Sequence, residues 1–312
     1  MTAPRKAASA ALTDSGEVAA EVSGATSGPG GSRTPGSSGS ASRPAAEPPP
    51  GKVLECRGVG VSLVGAAGRT EILSEVSFSV ARGEFISILG TSGTGKTTLL
   101  RALGGLQDPS GGELRCNDAR IDGPPPDVVT VFQDYSHSLL PWRTVRRNVA
   151  LGIEGTCSRA ECRRRVDDAL RLVGLADSAN EYPWRLSGGM QQRVQIARAV
   201  AIQPSVLLMD EPFGALDAMT KESLQDELQR LQEATGVTVA FVTHDVDEAV
   251  YLSDRVLVLE GKPATVGLEL DVQLPRPRDQ EATKGMREYL ELRTQVHRAL
   301  RSAERPNGGG HG

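Results

Sequence analysis

Five short apolar runs punctuate the chain: Phe85–Leu89, Val128–Phe132, Val206–Met209, Val237–Val242 and Val256–Leu259. None alternates apolar with polar positions, so each predicts a strand covered on both faces, as in parallel sheets. The stretches between them read as helices, and strand–helix–strand units predict an open α/β sheet. Between Asp134 and Arg185 the period turns helical. Cys162, Val166, Ala169, Leu170 and Val173 fall on one apolar stripe. Ser158 and Glu161 have the spacing of a capping box, in which both side chains satisfy first-turn backbone donors. Arg163, Arg164 and Arg165 lie largely off the stripe, which predicts a solvated face or, as the alternative, contact with an acidic partner.

Composition changes the picture at the N-terminus. Of residues 1–50, 38 are Ala, Gly, Ser, Thr or Pro, and only Met1, Leu12, Val18 and Val22 are larger apolar residues. So few cannot offset the entropy of ordering fifty residues, and a disordered tail is expected there. A globular domain is expected over 51–285, with its helical part at about 134–185. A C-terminal helix and flexible end are expected over 286–312. Net charge is −4, which argues against nucleic acid as a partner. No apolar run approaches the roughly 18 residues of a membrane span, which predicts a cytoplasmic chain unless a partner holds it at a membrane. Cys56, Cys116, Cys157 and Cys162 form no CxxC pair, and four His accompany them, which predicts free reduced thiols rather than a zinc site.

The chemistry sits at the ends of the apolar runs. Phe85–Leu89 leads into Gly90-Thr91-Ser92-Gly93-Thr94-Gly95-Lys96-Thr97, the GxxxxGK[ST] phosphate loop, and a helical stretch from Thr98 follows. Glycines let successive backbone N–H groups face phosphate oxygens, and the helix N-terminus adds partial positive charge. Lys96 is expected on the β- and γ-phosphates and the Thr97 hydroxyl on Mg²⁺. Val206–Met209 ends in Asp210 and Glu211. Asp210 suits a second anchor for Mg²⁺, and Glu211 suits the polarisation of an attacking water. Adjacent carboxylates beside a buried strand are costly without a cation.

These two elements specify only a phosphate-loop NTPase. Leu186-Ser187-Gly188-Gly189-Met190-Gln191-Gln192-Arg193 goes further, because it closely resembles the signature of the ABC family. A Ser-capped helix would read similarly, yet the whole segment suits a second anion cradle built from Ser187, a flexible Gly-Gly backbone and a helix N-terminus. The resemblance covers about residues 53–300. It implies that Ser187 and Gly189 close on ATP held by a second copy of the chain. It also implies that Gln133 resembles the family's Q-loop glutamine, sensing Mg²⁺ and water. Gly214-Ala215-Leu216-Asp217 resembles the D-loop coupling the two sites. His244 resembles the switch histidine that contacts the γ-phosphate. The resemblance further implies a small N-terminal antiparallel β part and a helical subdomain. Where relatives carry an adenine-stacking aromatic, Leu63 stands here.

Leu139-Leu140-Pro141-Trp142 and Leu274-Pro275-Arg276-Pro277-Arg278 resemble importers of the nitrate, sulfonate and taurine type. That implies an ATP-hydrolysing subunit on the cytoplasmic face of the membrane. It would drive a separate permease, served indirectly by an extracytoplasmic substrate-binding protein. ATPase subunits of other transporters, and ABC proteins of DNA repair or translation, share the same head and remain alternatives.

Overall fold

The computed structural model describes residues 51–65, 68–133, 138–214 and 216–304; the expected tail over 1–50, Ala215 and the expected end over 305–312 lie outside them. In chain order the elements are β1 (Lys52–Gly65), β2 (Gly68–Ala81), β3 (Phe85–Leu89), α1 (Lys96–Leu103), β4 (Gly111–Cys116), β5 (Ala119–Arg120) and β6 (Val128–Val131). The helical stretch follows, with α2 (Val145–Ala150), α3 (Arg159–Leu172), a 3₁₀ turn at Pro183–Arg185 and α4 (Gly188–Ala201). The chain then alternates through β7 (Val206–Asp210), α5 (Ala218–Thr235), β8 (Thr238–Val242), α6 (Val246–Leu252), β9 (Arg255–Glu260), β10 (Thr265–Asp271) and α7 (Arg287–Glu304).

The five apolar runs become neighbours in one six-stranded sheet of order β10-β9-β3-β8-β7-β6. β3 pairs in parallel with β8 and β9, and β7 in parallel with β8 and β6. Every residue of β3, β7 and β8 is buried, because helices α4 to α6 cover one face and α1 with the sheet of β1, β2 and β4 covers the other, as the unalternating pattern requires. A fully buried Val, Leu or Ile side chain stabilises by roughly 1.5–3 kcal/mol. At the edges the pattern weakens. β6 stops at Val131, leaving Phe132 exposed beyond the strand, and antiparallel β10 alternates exposed with half-buried positions. A second sheet, β2-β1-β4-β5, is antiparallel throughout and supplies the small N-terminal β part.

In α3 the apolar stripe is buried at Val166, Ala169 and Leu170, with Val173 just beyond the helix. The capping box is realised by half. Ser158 accepts from the Glu161 N–H, but the Glu161 carboxylate turns forward to Arg164 and Arg165, where two guanidinium groups replace one amide donor. Arg163 and Arg164 are exposed, whereas Arg165 is half-buried on Glu161. The expectation of four free thiols is corrected. Cys157 and Cys162 form a disulfide, because the turn into α3 brings their Cα atoms to 5.9 Å, while Cys56 and Cys116 are free and buried. No helix among the described residues is long and apolar enough to cross a membrane.

Candidate nucleotide site

Parallel pairing places the ends of four strands in a row: the loop after β3, His244 after β8, Asp210 and Glu211 at the end of β7, and Gln133 after β6. Ligands of open α/β sheets collect at such carboxyl ends.

The phosphate loop is tied to itself. Thr94 donates its N–H (3.2 Å) and its hydroxyl (2.6 Å) to Thr91 O. The Lys96 ammonium donates to Gly90 O (2.9 Å) and Thr91 O (3.1 Å). Gly95 adopts φ +90°, and a Cβ there would come within 2.7 Å of Ile72 Cγ2. The glycine thus allows both the left-handed turn and the close approach of β2. Ile72 is a contact that the motif could not announce, since β2 is remote in sequence. Helices α2 to α6 each begin at a side-chain acceptor: Thr144, Ser158, Ser187, Asp217 and Asp245. α1 begins at Gly95, which has none, so its first-turn N–H groups lack a side-chain cap. Burial pushes the Lys96 ammonium below the ordinary lysine range, against the pull of Glu211 and Asp210. That cost falls when an anion arrives.

Thr97 Oγ1 donates to Asp210 Oδ1 at 3.2 Å, joining the loop to β7. Burial raises the Asp210 carboxyl above its usual range, opposed by that hydrogen bond. A hydroxyl and a buried, under-neutralised carboxylate at this spacing are an all-oxygen pair fit for Mg²⁺, which takes few protein ligands and completes its shell with phosphate and water.

Glu211 has φ +45°, a strained conformation for a residue with a Cβ. Its N–H donates to Val242 O at 2.9 Å, and its Oε2 lies 3.1 Å from His244 Nδ1. Gln133 is exposed, with its amide nitrogen beside Gly214, 3.7 Å from where a Cβ on that glycine would sit.

Ser187 and Gly189 form a separate place. Ser187 caps α4, accepting from the Met190 N–H at 3.3 Å, which leaves its hydroxyl proton free to donate elsewhere. A shallow cavity of about 310 Å³ opens here, and its lining comes from Ser187, α4 and the start of α5, with no residue of the phosphate loop. The expected flexible Gly-Gly backbone is corrected. Gly189 lies inside α4, and its absent side chain makes room for Thr220, since a Cβ would stand 2.4 Å from Thr220 Cγ2. Asp217 caps α5 by accepting from the Thr220 N–H at 3.0 Å. Met219, 83% exposed in the cavity wall, and Thr220 were not legible as site residues; the Asp217 cap just before them was the available signal. Leu63 is exposed in β1, opposite Thr70 of β2.

A family model described as ABC transporter matches residues 73–214. The nitrate import ATP-binding protein NrtD of Synechococcus elongatus is 45% identical over 242 residues, covering 76% of this chain and 88% of that protein. The chain belongs to the ABC transporter family. It is an ATPase subunit of that family, similar to the nitrate importer group. NrtC of the same organism, also a nitrate import ATP-binding protein, is 46% identical over 242 residues, and there the match spans 76% of this cassette but only 36% of the relative. Among solved structures, the dimeric ATP-binding cassette MJ0796 in a post-hydrolysis state with ADP and Pi matches at TM-score 0.62 and 33% identity, covering 70% of this cassette and 99% of that chain.

Proposed function

We propose that this cassette works as one of a pair, binding ATP with Mg²⁺ between two copies and energising uptake of a small anion such as nitrate, a sulfonate or taurine. The observation that carries the paired reading is the Ser187 cradle. It has a donor hydroxyl, a helix N-terminus and a cavity, yet no phosphate-loop residue lines it. A second copy supplies the missing phosphate. The MJ0796 cassette named above is dimeric, which supports this arrangement.

Within each site the backbone of 90–97 with Thr98, and Lys96, hold the phosphates; Thr97 and Asp210 hold Mg²⁺, with Gln133 near by. Bound Mg²⁺ supplies charge neutralisation on the phosphate oxygens. Glu211 accepts the proton of the attacking water, and His244 orients the Glu211 carboxylate and meets the γ-phosphate. Ser187 and Gly189 close on the nucleotide of the other copy, and Asp217 joins the two sites.

Residues 51–285 act as the ATP-binding domain, with the helical part at about 134–185 meeting a separate permease. Trp142 is 70% exposed, and Trp184, 63% exposed, stacks on Tyr182 at 4.5 Å. Exposed aromatics of this kind suit a protein interface. The permease holds the cassette at the cytoplasmic face of the membrane, and an extracytoplasmic substrate-binding protein delivers the anion.

Co-purification with a polytopic permease, then uptake into vesicles, tests this reading. ATP-dependent entry of nitrate, a sulfonate or taurine is expected. ATP hydrolysis that no permease complex couples to uptake of any of these anions overturns it.

A further inference from the structure

The turn carrying His244 is held by a lysine from another helix. Thr243 and Asp245 flank His244, and both are fixed. Thr243 Oγ1 donates to Glu248 Oε2 and accepts from the Asp245 N–H at 3.0 Å. Asp245 Oδ1 caps α6, accepting from the N–H groups of Asp247 (2.8 Å) and Glu248 (3.3 Å). Lys221, in the first turn of α5, then reaches across. Its Nζ lies 2.6 Å from Asp245 Oδ2 and 2.7 Å from Glu248 Oε1.

Glu248 is 4% exposed, so this is no solvated surface pair. Burial works against the Lys221 ammonium, yet the bonds to Asp245 and Glu248 outweigh it and hold its pKa above the ordinary range. Burial likewise opposes the Asp245 carboxylate, and Lys221 together with the Glu248 and Asp247 N–H groups more than compensates. At Glu248 burial prevails and the carboxyl titrates above its usual range despite Lys221. One ammonium thus bridges two carboxylates that between them fix both neighbours of His244.

Resting on the function proposed above, we propose that Lys221 is a positioning residue for hydrolysis, setting His244 against Glu211 and linking that turn to the segment that begins at Asp217. The Lys221 N–H donates to Asp217 O at 2.9 Å, so the ammonium rides on the helix turn that Asp217 caps. A shift of that segment carries Lys221, and with it the cap of α6 and the His244 backbone. Without the ammonium, Asp245 and Glu248 repel, the Thr243–Glu248 bond loosens, and His244 loses its fixed place.

The experiment compares the full chain with Lys221→Met, Lys221→Arg and the double variant Lys221→Met/Glu248→Gln. Lys221→Met should lower kcat for ATP about 10- to 100-fold at unchanged KM, the cost of a misplaced group rather than of lost binding. The imidazole C2 proton resonance of His244, assigned by comparison with His244→Ala, should move. Lys221→Arg should restore most of the rate, and the double variant part of it, since the excess charge is gone. If Lys221→Met does not fold, Lys221→Gln takes its place. Unchanged kcat and an unmoved His244 resonance overturn the positioning role. So does a parallel loss of kcat, KM and melting temperature that Lys221→Arg fails to repair. A wild-type chain that binds but never hydrolyses ATP overturns the functional reading itself, and the positioning role with it.

Discussion

His244 Nδ1 lies 3.1 Å from Glu211 Oε2, so the turns that follow the adjacent strands β8 and β7 present a hydrogen-bonded pair. The strained backbone of Glu211 (φ +45°) aims that carboxylate, and its N–H bond to Val242 O, at the end of β8, holds the conformation. A geometry maintained at such cost is expected to serve the chemical step. Glu211→Gln should therefore bind nucleotide normally while turnover falls about 10²- to 10⁴-fold, the usual worth of a positioned base. Steady-state hydrolysis alongside equilibrium nucleotide binding checks this. Near-normal turnover removes Glu211 from the role.

Gly189 is required by packing. Gly189→Ala places a Cβ 2.4 Å from Thr220 Cγ2, so the Thr220 side chain or the start of α5 must shift. Overpacking of this kind costs about 1–3 kcal/mol. Thr220→Ser removes the offending methyl, so Gly189→Ala/Thr220→Ser should recover most of the lost stability. Thermal denaturation of the single and double variants decides. A double variant no more stable than Gly189→Ala would place the clash elsewhere.

Each active site should be shared between copies. Ser187→Arg adds bulk and positive charge where the cradle closes, but leaves the phosphate loop untouched, so the isolated monomer should keep its ATP affinity. Lys96→Ala should lose that affinity, because the lysine lies within the loop itself. In a mixed dimer of the two variants, both lesions fall on one composite site and the other stays intact. ATP-driven closure, followed by energy transfer between dyes on the two copies, should survive in the mixed dimer. Ser187→Arg monomers that bind ATP as poorly as Lys96→Ala would show the signature acting within its own chain.

Thiol titration separates the cysteines. The denatured, unreduced protein should react at two thiols, Cys56 and Cys116, and at four after reduction. In the folded state Cys56 should stay inert, because burial pushes its thiol well above the ordinary range and thiolate is the reactive form. Four reactive thiols without reductant would exclude the Cys157–Cys162 bridge.

Chain-local order was legible in the sequence. Phe85–Leu89, Val206–Met209 and Val256–Leu259 announce strands because burial on both faces removes polar alternation. The phosphate loop reads directly because a glycine turn, an ammonium and a hydroxyl must follow one another within a few residues. Ser158 and Ser187 cap helices because a cap needs only donors two or three positions ahead. What the sequence left open is what depends on residues far apart meeting. The order β3-β8-β7-β6 decides that Gln133, Glu211, His244 and the loop share one edge. Ile72 packs on Gly95 from a strand of the other sheet. Thr220 claims the space that makes Gly189 a glycine, and Lys221 reaches from α5 to the cap of α6. Glu161 chooses two arginines over the backbone of its own first turn. Local motifs encode hydrogen bonds between near neighbours, whereas the packing of sheet against helix decides which distant side chains stand close enough to act on one another.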